Sequence, residues 1–460
     1  PVEPDVLTRM LGGWQGVTKK RRGLDALLDC VEKLQGLPLP ASLLEREVLP
    51  ARLEQYLPSD LDSLAAAGEV VWVGVEPLGE KDGRVALYLT DHLPKLYRPP
   101  VIDVAALPEK ERKLLQHLEK QGASFFAALQ QAAGGGFPQE TVDALWSLVW
   151  KGLVTNDGFF GLREVTRPVD KRMRRALVDG RASFRSRRNA PASAEGRWSL
   201  VSSRFVSPGV TSPTEWAHAT AQQLLTRYGV VTREVALAED VPGGFTSLHD
   251  VFRTLEESGR VRRGYFVTGV GAMQFALPPV LDLLRAARNN AGHGHAEVLT
   301  LSAIDPANPY GALLPWPALD EPEATKRLSP MRMTGASVVL VDGRLGAWLS
   351  RGGRHALVWL PVGEPERTRT ADAVADRLAQ LARKAVERKD GMLLGEVNGV
   401  PAHDSVLAEA LERAGFTRTS SGFQMRRYQR GAPKPIAGQS ALQAEIDAEL
   451  AEVIGEDEEE

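Results

Sequence analysis

The chain has 460 residues, 43% hydrophobic and 25% charged, the balance of a globular protein with packed cores rather than a disordered or collagen-like one. Its single cysteine, Cys30, excludes an internal disulfide framework and any multi-cysteine metal centre. No run of about 18 apolar residues is present to cross a membrane; the sequence opens on Pro1 instead of a methionine and its first residues are not signal-like, so a piece of a longer protein is expected, and the lone cysteine fits a reducing cytosol.

The net charge of −3 hides an uneven distribution. Residues Glu445–Glu460 hold nine acids and no base, which leaves residues 1–444 with a net charge of +6. Within that body, Arg163–Arg188 ("REVTRPVDKRMRRALVDGRASFRSRR") carries ten bases against three acids. Clustered cations release counterions on binding nucleic acid, so Arg172, Arg174, Arg175, Arg185, Arg187 and Arg188 are candidate phosphate contacts. A solvated linker is the plain alternative.

Taken in chain order, the predicted elements repeat. A first helix, "ASLLEREVLPARL", leads into "LPSDLDSLAAAGEVVWVGVEPLGEKDGRVALYL" from Leu57. The segment "ASFFAALQQAAG" leads into "FPQETVDALWSLVWKGLVTNDGFFGL" from Phe137. A third helix, "TEWAHATAQQLLTRYGVVTRE", leads into "GGFTSLHDVFRTLEESGRVRRGYFVTGVGAMQFAL" from Gly243. In each copy an amphipathic helix stops at a glycine (Gly68, Gly152, Gly259), as expected of a residue that takes the left-handed conformation cheaply. A valine-rich or aromatic hairpin follows. Helix, turn, second helix and a two-stranded wing make a winged helix, and three copies predict a tandem array. Such arrays suit nucleic acid, because the second helix can enter a major groove; Arg262 and Arg263, at the start of the third wing, join the candidate DNA contacts. The plainer alternative for a single copy is an architectural spacer or a protein-contact domain.

From about Ala296 the pattern becomes strand-like. "ASVVLVDGRLGAWLSRGGRHALVWLPV" alternates apolar and polar residues around Asp342-Gly343 and Gly352-Gly353, the mark of hairpins. A helix over Ala371–Arg388 and another in "DSVLAEALERAGF" are expected to pack on it. The expected fold is therefore α+β: winged-helix domains at 1–100, 101–190 (with the basic linker) and 191–295, a β-barrel-like domain with packed helices at 296–428, and an acidic tail at 429–460.

The usual phosphate and metal signatures are missing. "GGWQGVTKK" (Gly12–Lys20) does not fit the P-loop pattern, "TGVGAMQ" sits in a hairpin rather than between strand and helix, and the pair His293 and His295 lacks companion ligands. No cofactor is expected. What remains is the proline-bound stretch "LSAIDPANPYGALLPWP" (Leu301–Pro317), which no helix can accommodate and which holds Asp305 and Asn308. A fixed carboxylate beside an amide suits hydrolysis of a glycosidic bond. Asp305 would polarise a water or stabilise a cationic sugar, and Asn308 would position the water or hold the carboxylate. Tyr310 and Trp316 are candidate walls for a base extruded from a duplex. The competing reading makes Asp305 a turn cap and Trp316 core.

Five segments carry a family resemblance: "LQGLPLPASLLEREVLPARLEQYLPSDLDSLAAAGEVVWVG", "GRWSLV", "LLTRYGVVTRE", "GRVRRGYFVTGVGAMQFALP" and "DPANPYGALLPWP". With them the chain resembles the C-terminal part of the bacterial large helicase-related proteins, from residue 1 to about 427. The resemblance implies an ATP-driven helicase core elsewhere in full-length members, tandem winged helices followed by a β-barrel, and self-association into a homo-oligomer. It also implies similarity to helix-turn-helix DNA glycosylases of the AlkZ kind, which carry a Q-x-D motif often continued as D-P-x-N. Asp305, Pro306 and Asn308 match that pattern, but Ala303 stands at the glutamine position, and Gln274 is a candidate substitute from a neighbouring hairpin. Uracil is the target the resemblance suggests. Two functions follow: a monofunctional DNA glycosylase with Asp305 and Asn308 catalytic, or a non-catalytic module that binds nucleic acid, oligomerises and positions a helicase motor.

Overall fold

The computed structural model describes residues 1–167, 191–205, 212–271, 273–289, 296–319, 328–387 and 391–425. Arg172, Arg174, Arg175, Arg185, Arg187, Arg188, His293, His295 and the acidic tail lie outside them.

Two helices open the chain, α1 (Pro4–Trp14) and α2 (Leu24–Leu34). The strand β1 (Leu39–Pro40) leads into α3, a continuous helical stretch over residues 41–52 with a π turn at Leu44–Val48. Then come α4 (Pro58–Ala66) and the hairpin β2 (Val70–Pro77)–β3 (Gly83–Leu89). A second set follows: α5 (Glu109–Gln121), β4 (Ser124–Phe125), α6 (Phe126–Ala132), α7 (Pro138–Trp150), β5 (Val154–Asn156), α8 (Phe160–Thr166) and β6 (Arg197–Leu200). The third set is α9 (Pro213–Tyr228), β7 (Val230–Val231), α10 (Arg233–Ala238), α11 (Thr246–Glu257), β8 (Arg262–Gly264) and β9 (Gln274–Ala276).

The three small sheets share one order: β1-β3-β2, β4-β6-β5 and β7-β9-β8. In each, a two-residue strand before the helices pairs with the last strand of the set, which is winged-helix topology three times over. In the first and third sets that strand closes the expected hairpin; in the second, "FFGL" opens the helix α8 instead of returning as a strand, and the pairing strand is β6, Arg197–Leu200. The expected helix stops are present. Gly68, Gly152 and Gly259 have φ of +80°, +74° and +73°, where a Cβ would clash with the backbone. The helix α9 starts on a capping box between Ser212 and Glu215 with Pro213 in its first turn, which satisfies donors a helix start leaves open.

After α12 (Pro278–Asn289) the chain builds a six-stranded sheet. Its strands are β10 (Val298–Ser302), β11 (Ser337–Val341), β12 (Arg344–Leu349), β13 (His355–Val358), β15 (Glu396–Val397) and β16 (Val400–Pro401), with β14 (Leu393–Leu394) branching to a separate sheet with β17 (Thr417–Thr419) and β18 (Gly422–Gln424). The order runs from edge β10 to edge β16, antiparallel except for β13 against β15. Among the described residues no strand pair closes it, so the β-barrel-like expectation narrows to an open mixed sheet. The helix α13 (Glu366–Glu387) begins five residues before the expected start, and α14 (Ala408–Arg413) is shorter than expected.

Period-two alternation explains how this sheet is covered on both faces. Val338, Leu340, Leu345, Trp348 and Leu357 join a core shared with α1 and the third winged helix. Their neighbours Val339, Val341, Ala347, Leu349 and Val358 join a second core under α13 and α14. The first two winged helices share a third core, from Ala26 to Trp198. The proline-rich loop after β10 spans two of these cores: Ala303, Ala307 and Tyr310 belong to the first, while Ile304 packs on the core of the first two winged helices.

Candidate functional site

The loop from Ser302 to Pro317 leaves β10 and folds back through tight turns. The amide of Asp305 donates to the Ser302 carbonyl at 3.0 Å, and that of Asn308 to the Asp305 carbonyl at 3.0 Å. Asn308 is fully buried. Its Nδ2 donates to the Ala303 carbonyl at 2.9 Å, and its Oδ1 accepts from the Tyr310 amide at 3.2 Å. The amide side chain therefore holds the loop's shape. Ala303 is fully buried as well, so a glutamine there has no space without displacing its neighbours.

Asp305 is 1% exposed and meets a residue 253 positions earlier. Arg52, at the end of α3, donates Nη2 to Oδ1 at 2.8 Å and Nη1 to Oδ2 at 2.9 Å. The amide of Ala307 adds a bond to Oδ1 at 2.8 Å. This bidentate pair is 1% exposed on both sides. Burial alone lowers the pKa of Arg52, but the charge and hydrogen bonds of Asp305 outweigh it and the guanidinium is held above its ordinary value. Arg52 Nη2 also donates to Oε1 of Gln15 at 2.9 Å, Nη1 to the Val48 carbonyl at 2.9 Å, and Nε has no partner.

A second arginine grips the same loop by its backbone. Arg332 donates Nη1 to the carbonyls of Asn308 (2.7 Å) and Tyr310 (3.2 Å), and Nη2 to those of Ile304 (3.0 Å) and Asp305 (3.2 Å). Burial lowers its pKa. Gln15 extends the network to α9 by donating to the Arg227 carbonyl, and Arg227 is ion-paired with Glu239 and donates to the carbonyls of Lys33 (3.0 Å) and Gln35. Buried polar groups thus tie α1, α3, α9 and the loop together, and each satisfied bond matters more where water is excluded.

The other expected site residues are not gathered around Asp305. Tyr310 is buried, its hydroxyl donates to the Gly343 carbonyl at 3.2 Å, and burial pushes its pKa up. Trp316 packs on the same core and covers Gly311, where an added Cβ would sit 2.4 Å from the indole and φ is +75°. Gln274 is fully buried in its own wing: Oε1 accepts from the amides of Phe266 (2.8 Å) and Val267 (2.9 Å), and Nε2 donates to the carbonyls of Val267 (2.8 Å) and Gly271 (3.1 Å). None of those bonds reaches the loop. The glutamine that does reach the Arg52–Asp305 pair is Gln15.

The third wing is open by contrast. Arg262 and Arg263 are exposed, as are Tyr265 (47%) and Met273 (40%). Arg263 Nε lies 3.2 Å from Glu256 on α11. Val2 pairs with Val267 as a parallel bridge, so the N-terminal residues brace the wing from behind.

Arg52, Gln15 and Arg332 were not singled out from the sequence. For Arg52 a signal existed: it lies on the apolar stripe Val48, Leu49, Leu53, and a cation on a buried stripe requires a buried partner. Among the described residues no group of three or more His, Cys, Asp or Glu is placed to hold a metal ion, and no helix is long and apolar enough to cross a membrane.

Comparison with known proteins agrees with the first and third copies of the repeat. Residues 2–90 and 210–296 each match a family model described as a winged-helix domain of the large helicase-related protein. Two curated relatives align over most of the chain. A Mycolicibacterium smegmatis protein named "Lhr helicase/ probable uracil glycosylase" is 37% identical over 93% of the chain and 28% of its own length. An Escherichia coli protein named "Lhr helicase/uracil glycosylase" is 36% identical over 87% of the chain and 26% of its own length. The chain thus spans little more than a quarter of either relative. Among solved structures, the Streptomyces sahachiroi DNA glycosylase AlkZ aligns with a TM-score of 0.44 at 14% identity, covering 82% of this chain and 96% of that one.

Proposed function

From a chain that carries winged-helix domains of the large helicase-related protein family, we propose a DNA-binding portion of a larger, cytoplasmic helicase-type protein, one that hydrolyses the N-glycosidic bond of a damaged base, with uracil as its target. The observation that carries this reading is similarity along 93% of the chain to a relative named as a helicase and probable uracil glycosylase. The winged helices hold the strand, with Arg262 and Arg263 on phosphates. In the reaction, water bonds to the sugar C1′ as the C1′–N bond breaks and the base leaves with the electron pair. A carboxylate stabilises the cationic sugar and takes the water's proton. No lysine stands in the D-P-x-N loop to form a Schiff base, so the reaction is monofunctional. For Asp305 to be that carboxylate, Arg52 must release it, because three of its acceptor positions are filled and the residue is 1% exposed.

That closed pair is the specific observation behind a second reading. Here the loop is a structural joint, and the chain is a non-catalytic module that binds DNA, self-associates and positions a motor. One experiment separates the two. Asp305→Asn alone leaves Arg52 buried without a counter-charge, so loss of activity would be ambiguous. The double variant Arg52→Met/Asp305→Leu removes both charges together. Each protein is incubated with end-labelled DNA containing one uracil, and abasic sites are cleaved with alkali. Strand breaks with the native chain and none with the folded double variant support Asp305 as catalytic. Breaks with both would make the loop structural and move the chemistry elsewhere, and breaks with neither would favour the non-catalytic module.

A further inference from the structure

A cavity of about 510 Å³ opens where α1, the end of the D-P-x-N loop, the β11–β12 turn and the start of α13 meet, within the size range of small-ligand sites. Tyr310 lines it from the loop and Trp359 from the segment after β13. Trp359 is only partly buried, and its ring is fixed by a bond from Nε1 to the Pro317 carbonyl at 3.1 Å. Arg344 and Arg369 stand at its rim, 74% and 47% exposed, each near an acid of the same lining: Arg344 Nε is 3.9 Å from Asp5 and Arg369 Nη2 is 3.5 Å from Asp342.

The informative residue is Arg9. Its side chain is 14% exposed and lines the same cavity. Nη1 is used, donating to Asp5 at 3.2 Å and to the Asp342 carbonyl at 2.8 Å. Nε and Nη2 are buried and have no partner. Those two atoms form one edge of the guanidinium, the fork that takes two oxygens of a phosphate or carboxylate side by side. A buried donor pair without an acceptor is costly; here it belongs to a residue lining a cavity that also presents an aromatic face, two further arginines and the carboxylates of Asp5, Asp342 and Glu366, and an anion reaches the fork as the guanidinium turns off Asp5. A carboxylate ligand would leave the indole face unused, whereas a nucleotide satisfies both.

We propose that this cavity binds a nucleotide, its base against Trp359 and its phosphate on the free edge of Arg9, with Arg344 and Arg369 screening the phosphate charge. The inference rests on the DNA-glycosylase reading and names where the extruded nucleotide sits. It places that site beside the D-P-x-N loop, against Tyr310.

The test uses the full chain and a single-stranded oligonucleotide carrying one 5-iodouracil. After irradiation the crosslinked peptides are mapped by mass spectrometry, with deoxyuridine monophosphate or inorganic phosphate as competitor. Binding of deoxyuridine monophosphate alone is measured by equilibrium dialysis. Crosslinks are expected on the peptides holding Trp359 or Tyr310, suppressed by the nucleotide and not by equal phosphate. Arg9→Lys, which keeps the charge and loses the fork, should weaken nucleotide binding about tenfold or more. Arg344→Ala, at an exposed position, should weaken it severalfold without threatening the fold. Crosslinks confined to winged-helix peptides, or phosphate competing as well as the nucleotide, would overturn the proposal. Failure to bind any oligonucleotide would instead defeat the DNA-binding reading, and the dialysis would still judge the cavity, with no nucleotide bound counting against it.

Discussion

The loop after β10 and the wing between β8 and β9 are both short irregular segments rich in polar groups, and they are built in opposite ways. In the loop every polar side chain turns inward: Asp305 to Arg52, Asn308 to the loop's own backbone, and the carbonyls to Arg332. In the wing Gln274 turns inward, while Arg262, Arg263 and Tyr265 face solvent. A buried polar network fixes geometry and is expensive to disturb, whereas an exposed cationic segment leaves its charges to a polyanion. The molecule therefore joins its parts with one segment and offers its charge with the other, and charge content alone does not say which is which.

The sharpest way to break the contrast is at the joint. Asp305→Ala strands Arg52 in the interior and should cost about 3–5 kcal/mol, the usual penalty for removing one partner of a buried ion pair. Denaturant unfolding reads it. Arg52→Met/Asp305→Leu should recover most of that loss, since a buried pair replaced by apolar groups of similar volume is often neutral or stabilising. A double variant as unstable as the single one would mean that the pair contributes through bonds to Gln15 and Ala307 rather than through charge. Further along the same loop, Gly311→Ala meets the Trp316 indole at a positive φ and should cost roughly 1–3 kcal/mol, visible as a lower midpoint in the same titration.

Next in size is Gln274, which belongs to the wing yet is as buried as Asn308. Gln274→Leu leaves the amides of Phe266 and Val267 without their acceptor, and it should cost roughly 1–3 kcal/mol. Amide exchange in residues 264–276 should speed up, while the D-P-x-N loop keeps its protection. Were Gln274 instead the stand-in for the motif's glutamine, base release would fall with no change in the wing's exchange.

The winged helices were readable because their cues are local: an apolar stripe and a glycine stop three times, and a hairpin in the first and third copies. The second copy's hairpin was misread, because its pairing strand, Arg197–Leu200, comes only after the helix α8. The cover of the six-stranded sheet was half readable. Alternation in "SVVLV" shows two apolar faces, but nothing local shows that the order ends at β16 instead of closing on β10. For the site, the sequence pointed to the correct loop as the place where an acid is fixed. It could not supply Arg52, which arrives from 253 positions away, nor the unmet edge of Arg9, because such partners are chosen by tertiary packing. Arg172 to Arg188 remain candidate phosphate contacts on charge alone.

The smallest expected change in stability sits on the exposed side of the comparison. Arg262→Ala/Arg263→Ala removes two solvated cations and one surface pair with Glu256, and such pairs are worth little in water. The unfolding midpoint should therefore correspond to a shift within about 0.5 kcal/mol. DNA affinity should nevertheless fall for all sequences alike, with the slope of log affinity against log salt shallower by about 1 to 2, as two phosphate contacts are lost. An unchanged slope would mean that this wing does not touch the phosphates. Phosphate binding would then be sought on the other winged helices and the basic stretch, while the bracing of the wing by Val2 and Gln274 would read as support for a protein contact.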